Sequence, residues 1–330
     1  MDRKRLRIFN SIAIILAIAA GIGVIVLSFI IRSRVENEIA NPLPDDSNTT
    51  PTNPDDEQGP PTPPLPDDIV TAKFLDLQPT VDRWTKSLDK GVRTGIVIYD
   101  LNNSKVAASH NADEVFNVAS IYKLLFVYDS YRQIANGQEN GDNIYVHTAD
   151  KGDLTLSKCL DLMIRESYNG CANKMSSDPQ RIARVSSLTQ ELRMDNTSNI
   201  GLQSTANDIT KLLRNYWRHS EFTQAMWQGI TDSMLNQPPS PGDGGEVYDW
   251  RQGLPAGFSD KVKVYNKVGW EWADDYWKTY ADAAILEFSE SKRYYIMVVL
   301  TSGLKNTNKI SQLGTMIEDS IIFQSSGIMN

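Results

Sequence analysis

From Phe9 to Ile31 the chain carries no charged side chain, and this single run constrains everything that follows. Wound as one helix at ~1.5 Å per residue, it is long enough to cross a ~30 Å hydrocarbon core. Arg3, Lys4, Arg5 and Arg7 precede it and only Arg32 and Arg34 follow closely. The basic excess therefore places a tail over residues 1–8 in the cytoplasm and the rest of the chain outside, held to the cell membrane by a single pass. A cleaved signal peptide would have an apolar core of ~7–15 residues ending in a small-residue cleavage site. Ser28-Phe29-Ile30-Ile31-Arg32 offers no such site, so a retained anchor over residues 9–31 is expected.

Beyond the anchor the composition changes. Nine of the fifteen prolines lie between Glu36 and Asp68, together with Asp45, Asp46, Asp55, Asp56, Glu57, Asp67 and Asp68, and that stretch contains no Lys or Arg. It has too little apolar surface to bury, so residues 32–68 are read as a solvated Pro/Asp-rich linker. Residues 69–330 remain, enough for one domain with a substantial core. A net charge of −8 argues against nucleic acid as a partner, since binding phosphates needs clustered Lys and Arg. His110, His147 and His219 are scattered and Cys159 and Cys171 belong to no CxxC pair, so no metal and no cofactor are expected. The two cysteines, twelve residues apart, are free to form a disulfide in an oxidising compartment or to sit as two separate buried thiols. The oligomeric state is not encoded in any pattern of the sequence.

Residues 94–100 and 104–109 read as a β-hairpin turning at Leu101-Asn102-Asn103, where Asn tolerates positive φ. Helical patterns follow at about 119–136, 155–165, 171–176, 180–193, 205–218 and 221–235. Three strands are expected at 261–268, 279–288 and 293–301. Tyr294 to Leu300 is apolar at successive positions, so that strand needs cover on both faces. Terminal helices at 74–89 and 307–323 are available to cover one of them. The expected fold is thus α+β: a five-stranded, mostly antiparallel sheet flanked by helices, an all-helical subdomain inserted between its second and third strands, and a cleft where the two parts meet.

Three short motifs carry chemistry. Ser120-Ile121-Tyr122-Lys123 lies where the hairpin gives way to a long helix, so the serine and lysine share one helix face. A serine hydroxyl needs an adjacent base, and a lysine whose pKa is lowered by burial can be that base. Ser-x-x-Lys also occurs at Ser87, Ser289 and Ser302, so the motif identifies nothing without its context. Ser167-Tyr168-Asn169 falls between two expected helices: its hydroxyl could pass a proton to a leaving group and its amide could hold a substrate amide. Lys267-Val268-Gly269, the one Lys-x-Gly in the chain, ends a strand. There the lysine would meet a substrate carboxylate, and the glycine would let a substrate lie against the strand.

In this order and on these elements the trio resembles that of class A β-lactamases and penicillin-binding D,D-peptidases. Gly95-Ile96-Val97-Ile98-Tyr99-Asp100 and Arg251-Gln252-Gly253-Leu254-Pro255-Ala256-Gly257 are similar to flanking segments of that superfamily. The resemblance covers residues 94–303. It implies Ser120 as nucleophile, Lys123 as proton acceptor and Ser167 as proton relay. Asn169, Lys267, Gly269 and Trp270 would bind substrate, with the backbone N–H groups of Ser120 and Trp270 forming the oxyanion hole. The implied partner is a β-lactam or a D-Ala-D-Ala peptide.

The sequence also departs from class A. The Glu that activates the deacylating water is missing, and Arg193-Met194-Asp195-Asn196-Thr197-Ser198-Asn199-Ile200 runs almost directly into the helix near Thr205. Glu166 and Asp195 are the nearby substitutes. Trp270 and Glu271 replace the small polar residues common after Lys-x-Gly. A β-lactamase resembling class A is the first expectation; a slow-deacylating D-Ala-D-Ala peptidase acting on peptidoglycan, or a catalytically silent wall-binding relative, are the others.

Overall fold

A computed structural model describes residues 72–218, 220–235, 240–241, 247–248, 250–273 and 276–325. The expected tail, anchor and linker over residues 1–68 lie outside these. Among the described residues no helix is long and apolar enough to cross a membrane.

The core is an antiparallel sheet of β1 (Arg93–Asp100), β2 (Lys105–His110), β3 (Val262–Ala273), β4 (Tyr276–Phe288) and β5 (Arg293–Ser302), in the spatial order β2-β1-β5-β4-β3. β5 is central because it is apolar on both sides. Ile296, Val298 and Leu300 join one core, while Tyr295, Met297 and Val299 join the other. The strand-by-strand alternation of side chains divides the two sets.

The second core is covered by α1 (Gln78–Lys86) and α8 (Asn308–Ser325). In α8, Ile310, Leu313, Ile317 and Ile321 recur at helical spacing and are fully or almost fully buried. α1 docks through Val81 and Trp84, whose indole N–H donates to Lys309 O at 2.7 Å. A Cβ at Gly257 would stand 2.0 Å from Ser311 O, so the backbone before β3 touches α8 only because no side chain intervenes.

The first core faces α2 (Lys123–Ala135), α3 (Leu156–Arg165), α4 (Asn169–Ser176), α5 (Pro179–Glu191), α6 (Ala206–Arg218) and α7 (Gln224–Leu235). Two expectations change here. The inserted part is not all-helical: Ile144–Thr148 and Gly152–Thr155 form a hairpin ahead of α3. Gly152 takes the positive φ of its turn, and the Thr155 hydroxyl then caps α3 through Lys158 N. The helix expected from residue 119 begins as a single 3-10 turn, Ala119–Tyr122, because Ala119 sits at φ 44° and no α-helix passes through that conformation.

In the β1–β2 hairpin the positive φ falls on Ser104, not on the asparagines. Asn102 and Asn103 act through their side chains instead. Asn103 donates from N and Nδ2 to the buried Asp100 carboxylate at 3.0 and 2.8 Å, and Asn102 Oδ1 accepts from Tyr294 N. The cysteine question is settled: Cys159 and Cys171 are bonded, with their Cα atoms 5.5 Å apart, joining α3 to α4.

Candidate active site

The nucleophile turn is fastened on both sides. Phe116–Asn117 pairs with Gln203–Ser204 as a two-residue ladder, and Val118 N donates to Leu202 O at 2.9 Å. Asn117 Oδ1 accepts from Ala119 N at 2.8 Å, which supports the left-handed conformation of Ala119. A non-glycine residue there costs about 1–3 kcal/mol and persists where its surroundings impose it. Ser120 follows, partly exposed, in the 3-10 turn ahead of α2.

Lys123, one helical turn on, is 1% exposed. Its amine donates to Ser167 O, to Ser167 Oγ at 3.2 Å and to Asn169 Oδ1 at 2.8 Å. Burial lowers its pKa to about 7, so a large fraction of the amine is neutral at physiological pH. Ser167 lies on the connection between α3 and α4 at φ 55°, inside the loop that the Cys159–Cys171 bridge closes. That bridge contributes about 3 kcal/mol by restricting the unfolded chain. It also fixes both ends of the Ser-x-Asn segment.

Lys267 arrives from β3 and is equally buried. Its amine donates to Ser167 Oγ at 3.0 Å and to Val268 O at 2.7 Å. Burial pushes its pKa down, and the neighbouring Lys123 adds to the effect, while Asp282 pulls the other way. Two ammonium groups on one hydroxyl repel each other, so the pair favours one charge over two.

Asp282, on β4, is itself fully buried, and burial raises its pKa to about 7. It accepts from Asn266 Nδ2 at 2.8 Å and Leu254 N at 2.9 Å, anchoring β3 and the segment before it. A lone acid in the apolar run Ala281-Asp282-Ala283-Ala284-Ile285 was the available signal for it.

Gly269 shows how close β3 comes to the nucleophile. A Cβ there would lie 2.2 Å from Val118 O and 2.9 Å from Ser120 N, so only glycine allows the approach. Alternation along β3 then sends Lys267, Gly269 and Glu271 toward the cleft and Trp270 to the other side. The Trp270 indole packs edge-on against Trp277, with centroids 5.4 Å apart, in the second core. What Trp270 offers the cleft is its backbone.

Of the carboxylates considered for deacylation, Glu166 is paired with Lys151 at 2.8 Å, and Asp195 is exposed. The 144–155 hairpin, absent from the sequence expectations, reaches the site at its tip. There Asp150 Oδ1 accepts from Tyr168 Oη at 2.6 Å. Nothing in the local residue pattern marks that contact.

The profile of the β-lactamase enzyme family matches residues 77–321, and the chain belongs to that family of serine hydrolases. Among solved structures it is similar to PBP-A, at 15% identity and a TM-score of 0.63 over 77% of this chain and 100% of that one. It is also similar to a β-lactamase from Chitinophaga pinensis, at 15% identity and a TM-score of 0.64 over 74% and 100%. A class A β-lactamase from Bacteroides cellulosilyticus gives 16% identity and a TM-score of 0.61 over 74% and 98%. At these identities the likeness is one of fold. No curated protein matches the chain.

Proposed function

We propose that this protein opens β-lactam amide bonds by forming an acyl-enzyme on Ser120. The observation that carries the reading is the convergence of two buried amines on one hydroxyl: Lys123 Nζ at 3.2 Å and Lys267 Nζ at 3.0 Å from Ser167 Oγ, beside the nucleophile turn. In this reaction the neutral Lys123 amine takes the Ser120 proton as Oγ attacks the lactam carbonyl. The N–H groups of Ser120 and Trp270 stabilise the oxyanion, an interaction typically worth ~3–4 kcal/mol per donor. Ser167 Oγ, within reach of both amines, directs its own proton at the departing nitrogen and regains one from the Lys123 ammonium, 3.2 Å away. Asn169 accepts from Lys123 through Oδ1, which leaves its Nδ2 for a substrate carbonyl. A substrate carboxylate beside Lys267 would favour that lysine's charged form.

A second reading is a D-Ala-D-Ala peptidase on peptidoglycan that deacylates slowly after reacting with penicillin. It is favoured by the stretch from Asn196 to Thr205, which carries no carboxylate to prepare a water. A PBP-A variant has been solved as its penicillin-G acyl-enzyme, so a protein of similar fold holds this intermediate long enough to be seen. For location, the anchor over residues 9–31 and the linker would present the catalytic unit on the outer side of the membrane. A disulfide suits that oxidising side.

The test is a time course with fluorescent penicillin on the full-length chain and on Ser120→Ala. A persistent label that requires Ser120 supports slow deacylation, and a transient label with hydrolysed product supports a β-lactamase. No label on the parent chain would overturn the acyl-enzyme reading and leave a silent relative.

A further inference from the structure

We infer that Glu271 is a positioning residue that, through Asn117, holds the two N–H groups of the oxyanion hole at their working separation. The inference rests on the acyl-enzyme reading of Ser120. Those two donors come from different parts of the chain, Ser120 from the nucleophile turn and Trp270 from β3, and no ladder joins them. β3 is an edge strand, paired with β4 on one side only. On its open side the contact at Gly269 is steric: Val118 O and Ser120 N block closer approach, and nothing in that contact prevents separation.

Deeper in the cleft Lys267 ties β3 to Ser167; beside the hole itself, the restraint against separation is a side-chain bridge. Asn117 Nδ2 donates to Glu271 Oε2 at 3.1 Å, linking residues 154 apart in sequence. The opposite end of the same amide accepts from Ala119 N, the residue whose left-handed backbone delivers Ser120. The other carboxylate oxygen of Glu271 accepts from Lys278 Nζ of β4 at 2.6 Å. One connected path therefore runs Lys278, Glu271, Asn117, Ala119, spanning the hole from sheet to nucleophile. The alternation of β3 makes this possible, since Glu271 faces the cleft while Trp270 and Trp272 face away. Because both ends of the Asn117 amide are used, a change at Glu271 is transmitted to the turn that carries the nucleophile.

The experiment measures acylation of the full-length chain by fluorescent penicillin at increasing concentration, separating the apparent binding constant from the limiting acylation rate. Glu271→Ala is expected to lower the limiting rate about 10- to 100-fold while binding changes by less than about threefold, because displaced donors affect the transition state more than the complex. Glu271→Gln keeps an acceptor for Asn117 and is expected to retain most of the rate. Asn117→Asp preserves the acceptor for Ala119 N but sets two carboxylates face to face, and should be as slow as Glu271→Ala. Combining Asn117→Asp with Glu271→Gln reverses the polarity of the bridge and should restore the rate, a recovery that a purely structural role does not produce.

Melting temperatures accompany each variant, and if Glu271→Ala does not fold, the paired variants decide. An unchanged limiting rate in Glu271→Ala, or no recovery in the double variant, overturns the inference while Ser120-dependent labelling of the parent stands. Absence of that labelling in the parent overturns the acyl-enzyme reading itself.

Discussion

The cluster around Ser167 and the segment from Arg193 to Thr205 border the same nucleophile turn and are built in opposite ways. Around Ser167, polar atoms from α2, the α3–α4 connection and β3 point at one another, with both lysines 1% exposed. In the other segment the polar groups are spent on itself. Ser198 N donates to Gln203 O, Thr197 Oγ1 meets Ser204 Oγ at 2.7 Å, and Arg193 and Ile200 take positive φ to keep the turns tight. The carboxylate this segment does meet, Asp208, is buried and fully engaged. Its Oδ2 accepts from Asn196 N and Thr197 Oγ1, and its Oδ1 pairs with Lys211 at 2.8 Å. Groups suited to making an acyl bond are thus assembled on one side, while the other side holds the turn in place and its own carboxylate, Asp195, is exposed. Under the proposed reading, acylation and release depend on separate parts of the molecule.

The largest effect that would sharpen this contrast is complete loss of penicillin labelling in Ser120→Ala; a label surviving there would place the nucleophile elsewhere. Next, Lys123→Ala should slow acylation by about 10²–10⁴-fold with the fold retained by circular dichroism, the range for loss of a general base. The acylation rate should also follow pH. With the Lys123 pKa near 7 and the neutral amine as the reactive form, the rate falls about tenfold per unit below pH 7 and levels off above it. A flat profile from pH 5 to 8 would remove Lys123 from the base role.

Smaller still is the effect of the bridge: Cys171→Ser should lower unfolding stability by about 3 kcal/mol in denaturant titrations. Smallest of all, Glu166→Gln and Asp195→Asn should leave release of the acyl group within about twofold, as expected of surface substitutions. A large slowing of release in Asp195→Asn would give the second region a chemical role, and a large slowing in Glu166→Gln would put release beside Ser167 as well.

Much of the sheet was legible in the chain. The apolar run of β5 demanded two covers and has them, and the strand and helix patterns from residues 94 to 323 fall within a few residues of their elements. The 144–155 hairpin was missed because its strands are short and largely solvent-facing, so no alternation of apolar residues announces it. At the site, the motifs named Lys123, Ser167, Asn169, Lys267 and Gly269, and the structure brings these together. For Trp270 the sequence suggested a backbone donor and, with Glu271, an altered carboxylate pocket; the indole itself turns away into the second core. Glu271 stood out only as an unusual residue after Lys-x-Gly.

By itself, then, the sequence determined the periodicities: which stretches are strands or helices, which strand needs cover on both faces, and which residue types could act as nucleophile, base and anion contact. Those follow from local spacing and from the cost of leaving apolar surface in water. Tertiary structure alone decided that Cys159 bonds Cys171, that Lys123 and Lys267 share one hydroxyl, that Glu271 reaches Asn117, and that Asp208 is occupied. Each is a meeting of atoms set by how β3, α2 and the α3–α4 connection pack together, and both amines owe their lowered pKa to the burial which that packing creates.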